Sequence, residues 1–470
     1  MTAISLPVLG STGADATGCA SAPVVSAPVV QGKPLQQSQK ETTVGNYFVA
    51  NYPPFGFWKP EFVERFRGAL REPPRADTRM GVYAHIPFCR KRCHFCYFRV
   101  YTDKNSSDIR AYLDAMIHEL GQYARSEAVR GRVPRFVYFG GGTPSYLSPD
   151  QFAYLSGEMR KLIPWEGAEE ITLEAEPGTL NEKKMRAIRD MGVTRLSLGI
   201  EHFDDHVLEI NGRAHRSKET LRAYDWARAA GFPEINVDLI AGMVEETEEK
   251  WAETVEKTLA LAPDTLTIYQ MEVPYNTTIY KRMQAEGSLV APVADWETKR
   301  RWLNQAFERF VQAGYTVTSG STVVKDPRKN KFIYRQCLFN GTDVVSVGVS
   351  AFGHISGVNY QNEHDFQPYI DAVGARGMPT YRAYPLSREE NYIREFALQL
   401  KGGIVDCEPF ARKFGVDPRQ QFAGALGDLS QRGLLRVADH AVEVTRAGLL
   451  QIDRLLFDFF RPEHRVGRFA

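Results

Sequence analysis

The chain has 470 residues, which leaves room for a large core and two to three domains. Hydrophobic residues make up 43% of it and charged residues 24%, the ordinary proportions of a soluble enzyme. A formal net charge of +1 gives no argument for a nucleic-acid or membrane-surface partner, and no apolar run approaches the roughly 18 residues that span a membrane.

Residues 1–44 are predicted to form a disordered leader, because Ala, Ser, Pro, Val, Gly and Thr dominate and Ser-Ala-Pro-Val-Val occurs twice in succession. The segment lacks the basic start and apolar block of a secretory signal. The six cysteines of the chain do not resemble a disulfide framework. We therefore expect a cytoplasmic protein.

Residues 45–80 are predicted to form an N-terminal arm. Aromatic residues punctuated by prolines run from Tyr47 to Trp58. Such a segment can lie over the mouth of a pocket, or it can pack against the body of the protein as an ordering arm. The sequence leaves both arrangements open.

The next feature is a cysteine-rich loop. An apolar run at residues 82–86 predicts the first strand, and Cys89, Cys93 and Cys96 follow it at C-x3-C-x2-C spacing. Soft metals take thiolate ligands, and three cysteines in one short loop can hold three corners of a four-iron cluster. The fourth iron then stays open for a substrate. An exposed open iron of this kind favours a low-oxygen environment for the protein. A zinc loop closed by His94 is the alternative, although that histidine lies between two of the ligands.

Strand and helix patterns alternate after this loop, which predicts parallel strands joined by right-handed crossovers. Residues 81–385 are therefore predicted to form an α/β fold, an incomplete (β/α)6 barrel with an extension and with its catalytic groups at the C-terminal ends of the strands. The predicted strands are 136–139, 170–174, 195–199, 234–239 and 265–269, the helices are 108–125, 149–162, 181–191, 217–230 and 247–261, and the extension comprises a helix at 295–312 and strands near 315–318 and 344–349.

Residues 386–470 are predicted to form a C-terminal winged-helix-like α+β module. The patterns indicate helices at 388–400, 407–414 and 417–431, a hairpin of 434–437 with 441–444, and a last helix from Arg446. The module has no dense basic run, so we expect a scaffolding role and no nucleic-acid partner.

Glycines and carboxylates stand at the predicted strand ends. The run Gly140-Gly141-Gly142-Thr143-Pro144 follows the second strand, where glycines let a ligand approach the backbone closely. Glu174 and Glu176 end the third strand on one face, where they either meet a ligand or form a surface pair. Glu201 ends the fourth strand and Asp238 lies in the fifth.

Arg213 lies in the loop Asn211-Gly212-Arg213 that follows the fourth strand. An arginine beside buried carboxylates binds a ligand or pairs with them for structure alone. The residues by themselves do not decide between these roles.

Several motifs together resemble the oxygen-independent coproporphyrinogen III oxidase family of radical S-adenosylmethionine (SAM) enzymes. The motifs are residues 85–89, 140–144, 195–199, 236–240, 347–352 and 359–362, and the similarity runs from about Tyr47 into the C-terminal module. The resemblance implies a [4Fe-4S] cluster held by Cys89, Cys93 and Cys96, two SAM molecules, a small tetrapyrrole-type substrate, and an electron donor such as flavodoxin or ferredoxin.

The same resemblance assigns further residues to cofactor binding. Tyr83 and Phe95 frame the cluster-bound SAM, and Gly141, Gly142 and Thr143 contact its methionine end and the adjoining second site. The remaining SAM-contact positions are Glu174, Arg213, Asp238 and Glu201. Glu201 stands where the family usually has Gln, and Glu201 and Asp238 are the predicted catalytic residues.

One departure from the family affects the predicted reaction. The true oxidases carry a fourth cysteine two residues past the last ligand, and this chain has Phe98 there. The expected reaction is cleavage of SAM to a 5′-deoxyadenosyl radical, hydrogen abstraction and oxidative decarboxylation. The missing cysteine keeps open a methyltransferase or cyclopropanase that uses two SAM molecules on an unsaturated small molecule.

A heme carrier or chaperone is the non-catalytic alternative. That branch of the family usually has a His-Asn-x-x-Tyr-Trp stretch, and residues 336–341 of this chain read Gln-Cys-Leu-Phe-Asn-Gly, without Trp. This difference argues against the carrier hypothesis. Cys337, within the stretch, is predicted to be an ordinary packing residue, with a redox or proton relay as the alternative.

Overall fold

The computed structural model describes residues 45–287 and 292–465, so the predicted leader lies outside the described residues. Within them a twelve-stranded sheet comprises β1 (Met80–Ile86), β2 (Phe136–Gly141), β3 (Glu170–Ala175), β4 (Arg195–Glu201), β5 (Glu234–Ala241), β6 (Thr265–Gln270), β7 (Thr316–Val317), β8 (Thr322–Val324), β9 (Asp343–Val347), β10 (Phe352–Ile355), β11 (Val358–Asn362) and β12 (Thr380–Pro385). A small second sheet comprises β13 (Ile404–Asp406), β14 (Leu435–Val437) and β15 (Ala441–Val444).

The α-helices of the described residues are α1 (Val63–Arg71), α2 (Ser106–Arg125), α3 (Pro149–Leu162), α4 (Glu182–Asp190), α5 (Asp205–Ile210), α6 (Ser217–Ala229), α7 (Glu248–Leu261), α8 (Thr278–Glu286), α9 (Trp296–Gln312), α10 (Ile333–Phe339), α11 (Phe366–Arg376), α12 (Arg388–Lys401), α13 (Cys407–Phe414), α14 (Pro418–Gln421), α15 (Ala423–Gln431), α16 (Arg446–Leu449) and α17 (Ile452–Leu455). Capping residues in the sequence mark the starts of several helices: Asn105 and Ser148 form capping boxes at the N-termini of α2 and α3. None of them is both long and apolar enough to cross a membrane.

The main sheet has a parallel centre and antiparallel ends. Its strand order is β12-β11-β10-β9-β1-β2-β3-β4-β5-β6-β8-β7, and neighbouring strands are parallel from β9 through β6. Helices cover the parallel strands, which are therefore buried along almost their whole length. The predicted incomplete (β/α)6 barrel with a small C-terminal module is confirmed.

The extension is larger than predicted. Strands β10, β11 and β12 add an antiparallel end next to β9, and β8 and β7 add another next to β6. The β11 residues Asn359, Gln361 and Asn362 are buried and hydrogen-bonded, so the strand has no polar–apolar alternation to reveal it. Helix α11 was also not predicted, since Pro368 and Gly374 interrupt its pattern.

The C-terminal segment contains the predicted hairpin, β14 with β15, and a third strand, β13, that was not predicted. The prediction of a single helix over 417–431 is wrong in one respect, because this segment forms two helices that meet at Phe422. That residue has φ −109° and ψ 23°, and its ring stacks on Tyr392 and Phe396. Packing of this side chain thus accompanies the break between α14 and α15.

The N-terminal arm packs between the barrel and the C-terminal segment. Val49 is buried; its N–H donates to Asp453 Oδ1 at 2.8 Å, and its carbonyl oxygen accepts a bond from Lys401 Nζ at 2.7 Å. One residue earlier, the Phe48 N–H donates to Glu272 Oε1 at 2.7 Å. Glu272 follows β6, so this part of the arm lies at the edge of the sheet where the parallel strands end.

Candidate functional site

The cysteine loop leaves the C-terminal end of β1 and returns beside it. Backbone bonds join Cys89 N to Tyr101 O at 3.0 Å and Tyr101 N to Pro87 O at 2.8 Å, which closes the loop around the three cysteines. Cys89 is buried and Cys96 half-buried. Burial raises the pKa of the Cys89 thiol to about 12 and that of Cys96 to about 11, so both are protonated until a metal displaces the protons.

The glycine run at the end of β2 packs directly against this loop. Gly142 N donates to Ile86 O at 2.9 Å, and a Cβ atom at Gly142 would lie 3.0 Å from Cys89 Sγ. The Thr143 hydroxyl lies 3.3 Å from the same sulfur. Gly141 has φ +120°, and a Cβ there would lie 2.7 Å from the His85 ring. Only glycines allow this approach of the two strand ends.

The zinc alternative does not match the position of His94. Its Nδ1 lies 2.9 Å from Ile210 O, and its ring packs on Gly212, where a Cβ would lie only 2.8 Å from it. In the part of the chain that the structure describes, no three His, Cys, Asp or Glu side chains are arranged to hold a single metal ion. The described side chains thus contain no preformed four-ligand zinc site.

Arg213 links the cysteine loop to β4. Its Nη1 lies 3.3 Å from Cys93 Sγ, and its Nη2 donates to Gly199 O at 2.6 Å. Burial lowers the pKa of the guanidinium, but the Cys93 sulfur and the Glu201 carboxylate oppose this effect. The net shift of the pKa is upward, so the group stays charged. The guanidinium thereby places a fixed positive charge beside one of the three cysteine sulfurs.

Glu201 occupies an unusual backbone position. It has φ +66°, in the left-handed region that side chains other than glycine rarely adopt, and the pairing register of β4 with β5 shifts between Gly199 and Glu201. Its Oε1 lies 3.6 Å from Arg213 Nη1. Burial raises the pKa of the carboxyl to about 7; Arg213 opposes this rise and Asp238 adds to it. Such strain is characteristic of functional sites.

Glu174 and Asp238 are both half-buried and held by neighbouring strands. Glu174 accepts bonds from Tyr138 OH at 2.7 Å and from Gly141 N at 3.1 Å. Asp238 accepts bonds from Ser197 Oγ at 2.8 Å and Asn236 Nδ2 at 2.9 Å. Burial raises the pKa of both carboxyls, that of Glu174 to about 7.

The two predicted aromatic contacts lie at different places around the loop. Tyr83, on β1, is half-buried with its ring beside those of Tyr138 and Tyr334, and its hydroxyl lies 3.2 Å from His85 Nδ1. Phe95, inside the cysteine loop, packs against an apolar cluster formed by Val207, Ile240, Met243 and Met271. Whether these rings touch SAM stays a prediction.

Two residues of this region were not singled out by sequence reasoning. His215 is fully buried between Glu176 Oε1 and Ile200 O, each 3.1 Å from a ring nitrogen, and it thereby fixes Glu176 beside Arg213. Tyr269, on β6, lies near Asp238, Glu174 and Glu201, and 45% of its own surface is exposed. The only signal for His215 was its position two residues after Arg213.

The donors present fit a four-iron cluster with one open corner. They comprise three thiols on one loop, a hydroxyl beside Cys89 and a guanidinium beside Cys93. Hydrogen bonds to the sulfurs are one means by which proteins adjust such clusters. Cys337, by contrast, is buried in a separate apolar cluster with Phe136, Tyr138, Ile333 and Val344.

Comparison with known proteins identifies two families along the chain. Residues 83–258 match the radical SAM superfamily, and residues 386–450 match the HemN C-terminal domain. The matches cover 176 and 65 residues, 241 of the 470 in all.

Curated relatives cover most of the chain. It is 29% identical to the heme chaperone HemW of Bacillus subtilis over 79% of its own length and 96% of that protein. It is 26% identical to the oxygen-independent coproporphyrinogen III oxidase of Pseudomonas aeruginosa, over 86% and 90%, and to that of Escherichia coli, over 89% and 94%.

The fold also matches a solved structure. Coproporphyrinogen III oxidase (HemN) from Escherichia coli, a radical SAM enzyme, superimposes with a TM-score of 0.77 and 24% sequence identity. The match covers 91% of this chain and 99% of the other. The chain is thus a radical SAM protein of the oxygen-independent coproporphyrinogen oxidase family, to which HemN and HemW belong.

Proposed function

We propose that this protein is a radical SAM enzyme that removes hydrogen from a conjugated, tetrapyrrole-type substrate, in the manner of an oxidative decarboxylase. One observation carries the proposal: the three-cysteine loop packs on Gly142, with Thr143 beside one sulfur and Arg213 beside another. Membership of the radical SAM superfamily implies a [4Fe-4S] cluster, SAM and an electron donor.

Cys89, Cys93 and Cys96 would hold three irons of the cluster. When bound, the cluster supplies the electron that cleaves SAM to methionine and a 5′-deoxyadenosyl radical. The Thr143 hydroxyl and the Arg213 guanidinium stabilise negative charge on two of the sulfurs. Gly141 and Gly142 let the end of β2 lie directly against the cysteine loop, where the methionine end of SAM would bind.

The carboxylates serve orientation. Asp238 is fixed by Ser197 and Asn236, and Glu174 by Tyr138 and Gly141, so neither has to reorganise when a ligand binds. Glu201 faces Arg213 and carries the ionisable oxygen nearest to that cation. In this proposal Glu201 and Asp238 position the SAM molecules and the substrate, with room for two SAM molecules as the family resemblance implies.

Methyl transfer is the second candidate reaction. Phe98 stands where the oxidases of the family have a fourth cysteine, and 47% of its surface is exposed beside the cluster loop. An apolar ring there cannot exchange a proton or an electron, as a cysteine can. This observation favours a reaction in which a second SAM donates a methyl or methylene group to an unsaturated carbon.

A heme carrier is the third candidate, and similarity to HemW supports it. Product analysis distinguishes the three. The anaerobically reconstituted full chain is incubated with SAM, a reductant and coproporphyrinogen III, with Cys93→Ala as the control. 5′-Deoxyadenosine with carbon dioxide supports decarboxylation, and S-adenosylhomocysteine with 5′-deoxyadenosine supports methyl transfer. Tight hemin binding without any SAM-derived product overturns both enzymatic hypotheses.

A further inference from the structure

A half-buried arginine near the start of β12, Arg382, has no acidic partner among the residues that the structure describes. Its Nε donates to Gln361 Oε1 at 2.7 Å and its Nη1 to the Phe55 carbonyl oxygen at 2.9 Å, and both acceptors are neutral. Within residues 45–287 and 292–465, no Asp or Glu oxygen lies within 4.0 Å of the guanidinium, and no bond is made by Nη2. A buried cation is normally paired, so this one has capacity for an anion.

Four aromatic residues lie in the neighbourhood of Arg382, and three of them keep more than a third of their surface in water. The rings of Phe55 and Phe352 lie 4.4 Å apart. Phe352, Tyr381 and Tyr275 are 38%, 39% and 51% exposed. Burial lowers the pKa of Arg382, and Tyr381 and Tyr275 are close enough to oppose that shift. We name these four aromatic residues, Phe55, Tyr275, Phe352 and Tyr381, the aromatic rim.

The sheet topology places the rim at the same edge as the cysteine loop. β9 is parallel to β1, and β10, β11 and β12 follow as successive antiparallel strands. The start of β10, the end of β11 and the start of β12 therefore lie at the edge where β1 ends. Phe352, Gln361 and Arg382 occupy these positions, and the register pairs Phe352 with Gln361 and Gln361 with Arg382.

Direct contacts connect the rim to the residues that follow Cys96. The Tyr381 ring lies 5.2 Å from that of His364. Arg99 Nε donates to the His364 carbonyl oxygen at 3.3 Å, and Phe98 next to it is exposed. A ligand on the rim would thus lie on the side of the barrel mouth to which the cysteine loop extends.

We propose that Arg382 and the aromatic rim bind a carboxylate-bearing, conjugated ring compound, with the carboxylate on Arg382 and the ring against the aromatic side chains. The inference rests on the proposed function, because it names where the substrate of that site is held. A guanidinium binds a carboxylate through parallel N–H bonds, and among the described contacts Nη2 keeps both of its N–H groups and Nη1 keeps one. Aromatic faces stack on conjugated rings and exclude water from the ion pair.

A purely structural role for Arg382 predicts a different outcome. Its bond to the Phe55 carbonyl also anchors the arm, so its loss would disturb the rim as a whole. Such a disturbance weakens any ring compound equally, whether or not that compound carries a charge. Recognition of a carboxylate weakens only the charged compound.

The experiment compares coproporphyrin III with its tetramethyl ester, by fluorescence titration of the full chain without SAM and at constant cosolvent. We expect Arg382→Gln to weaken the acid about tenfold and to leave the ester unchanged, which is the scale of one partly exposed charge-assisted bond. Arg382→Lys should fall between wild type and Arg382→Gln, and Phe352→Leu should weaken both compounds. Arg436→Gln, which removes one positive charge from the C-terminal hairpin, is the matched control.

Equal loss of acid and ester in Arg382→Gln, or no loss of either, overturns the proposal. If that variant fails to fold in a thermal melt, Arg382→Lys and Phe352→Leu still decide, since unchanged affinity for the acid in both contradicts the site. The proposed function is judged separately from SAM-derived products of the wild type. A wild type that binds the acid through Arg382 and forms no product contradicts the proposed function alone.

Discussion

Arg213 joins the cysteine loop to the end of β4, with Nη1 3.3 Å from Cys93 Sγ and Nη2 2.6 Å from Gly199 O. The contact places one fixed positive charge beside one predicted cluster ligand. Because metal binds the thiolate and not the thiol, the contact supports cluster assembly as well as orientation. Both sides of the contact can be tested separately.

We expect Cys93→Ala to abolish the cluster absorbance at about 400 nm and all SAM cleavage. Arg213→Gln retains the ligand but loses the charge, so we expect less iron per chain and SAM cleavage reduced by about tenfold or more. Iron, sulfide and 5′-deoxyadenosine assays after anaerobic reconstitution measure both effects. Arg186→Gln, on the exposed face of α4, is the control. Full activity in Cys93→Ala would refute the ligand assignment.

Gly142→Ala tests the close packing of the two strand ends. The added Cβ would lie 2.9 Å from the Pro87 carbonyl carbon, 3.0 Å from Cys89 Sγ and 3.1 Å from Phe88 O. Two of these atoms are backbone and cannot move cheaply, so the loop must shift. We expect cluster content to fall and SAM cleavage to drop about tenfold or more.

Gly157→Ala is the matched control for that substitution. Gly157 lies within α3, and nothing would lie within 4 Å of a Cβ atom there. Alanine in a helix is favoured over glycine by about 1 kcal/mol, so the control should melt at the same temperature or higher with full cluster content. Equal cluster content in both variants would show that the Gly142 contact is not needed.

The cysteine loop, the glycine run and the strand-end carboxylates could be predicted because each follows a short apolar strand in a regular alternation. The geometry that makes them a site could not. The left-handed backbone of Glu201 and the reach of Arg213 to Cys93 arise from tertiary packing, and no local pattern encodes them. Arg382 is not among the predicted site residues because the sequence patterns do not predict β11 and β12. A single arginine in a sequence does not indicate a binding role until the fold shows its neighbours.

The arm can be tested by two truncations. Removal of residues 1–44 should leave turnover unchanged, whereas removal up to Trp58 exposes the surfaces that Val49 and Tyr52 cover. The longer truncation also removes two hydrogen bonds from the buried Lys401–Asp453 ion pair, because Asp453 accepts from the Val49 N–H and Lys401 donates to the Val49 carbonyl oxygen. We expect lower turnover and a melting temperature lower by several degrees. Equal turnover of the two truncations would show that the arm does not contribute to the site.

A buried carboxyl away from the site predicts a pH-dependent stability. Glu119, on α2, accepts bonds from Tyr369 OH at 2.6 Å, Asn362 Nδ2 at 2.7 Å and Gly348 N at 2.9 Å. Burial nevertheless raises its pKa from 4.5 to about 8. Because the folded pKa lies above the unfolded one, the stabilisation is complete below pH 4.5 and is lost as the pH rises through about 8.

Glu119→Gln should remove this component, since the amide does not ionise. We expect the melting temperature of the wild type to fall from about pH 5 to about pH 9 by several degrees more than that of the variant. Glu158→Gln, at a partly exposed position on α3, is the control and should follow the wild-type curve. Parallel curves for wild type and Glu119→Gln would contradict the assigned ionisation.

Glu201→Gln restores the residue that the family usually has at this position, and it predicts a change in the pH profile of SAM binding. Burial raises the pKa of Glu201 to about 7, so the carboxylate forms as the pH rises through that value. SAM carries a sulfonium cation, which a nearby carboxylate attracts. The wild type should therefore bind SAM about fivefold more tightly at about pH 8 than at about pH 6, relative to the variant.

Equilibrium binding of SAM to both proteins across this pH range measures the effect. The amino group of SAM titrates identically in the two experiments, so the difference between the two profiles isolates Glu201. Glu182→Gln, on the exposed face of α4, should reproduce the wild-type profile. Superimposable profiles for the wild type and Glu201→Gln would place the Glu201 carboxylate out of reach of the sulfonium, and the role proposed for it would then pass to Asp238 and Glu174.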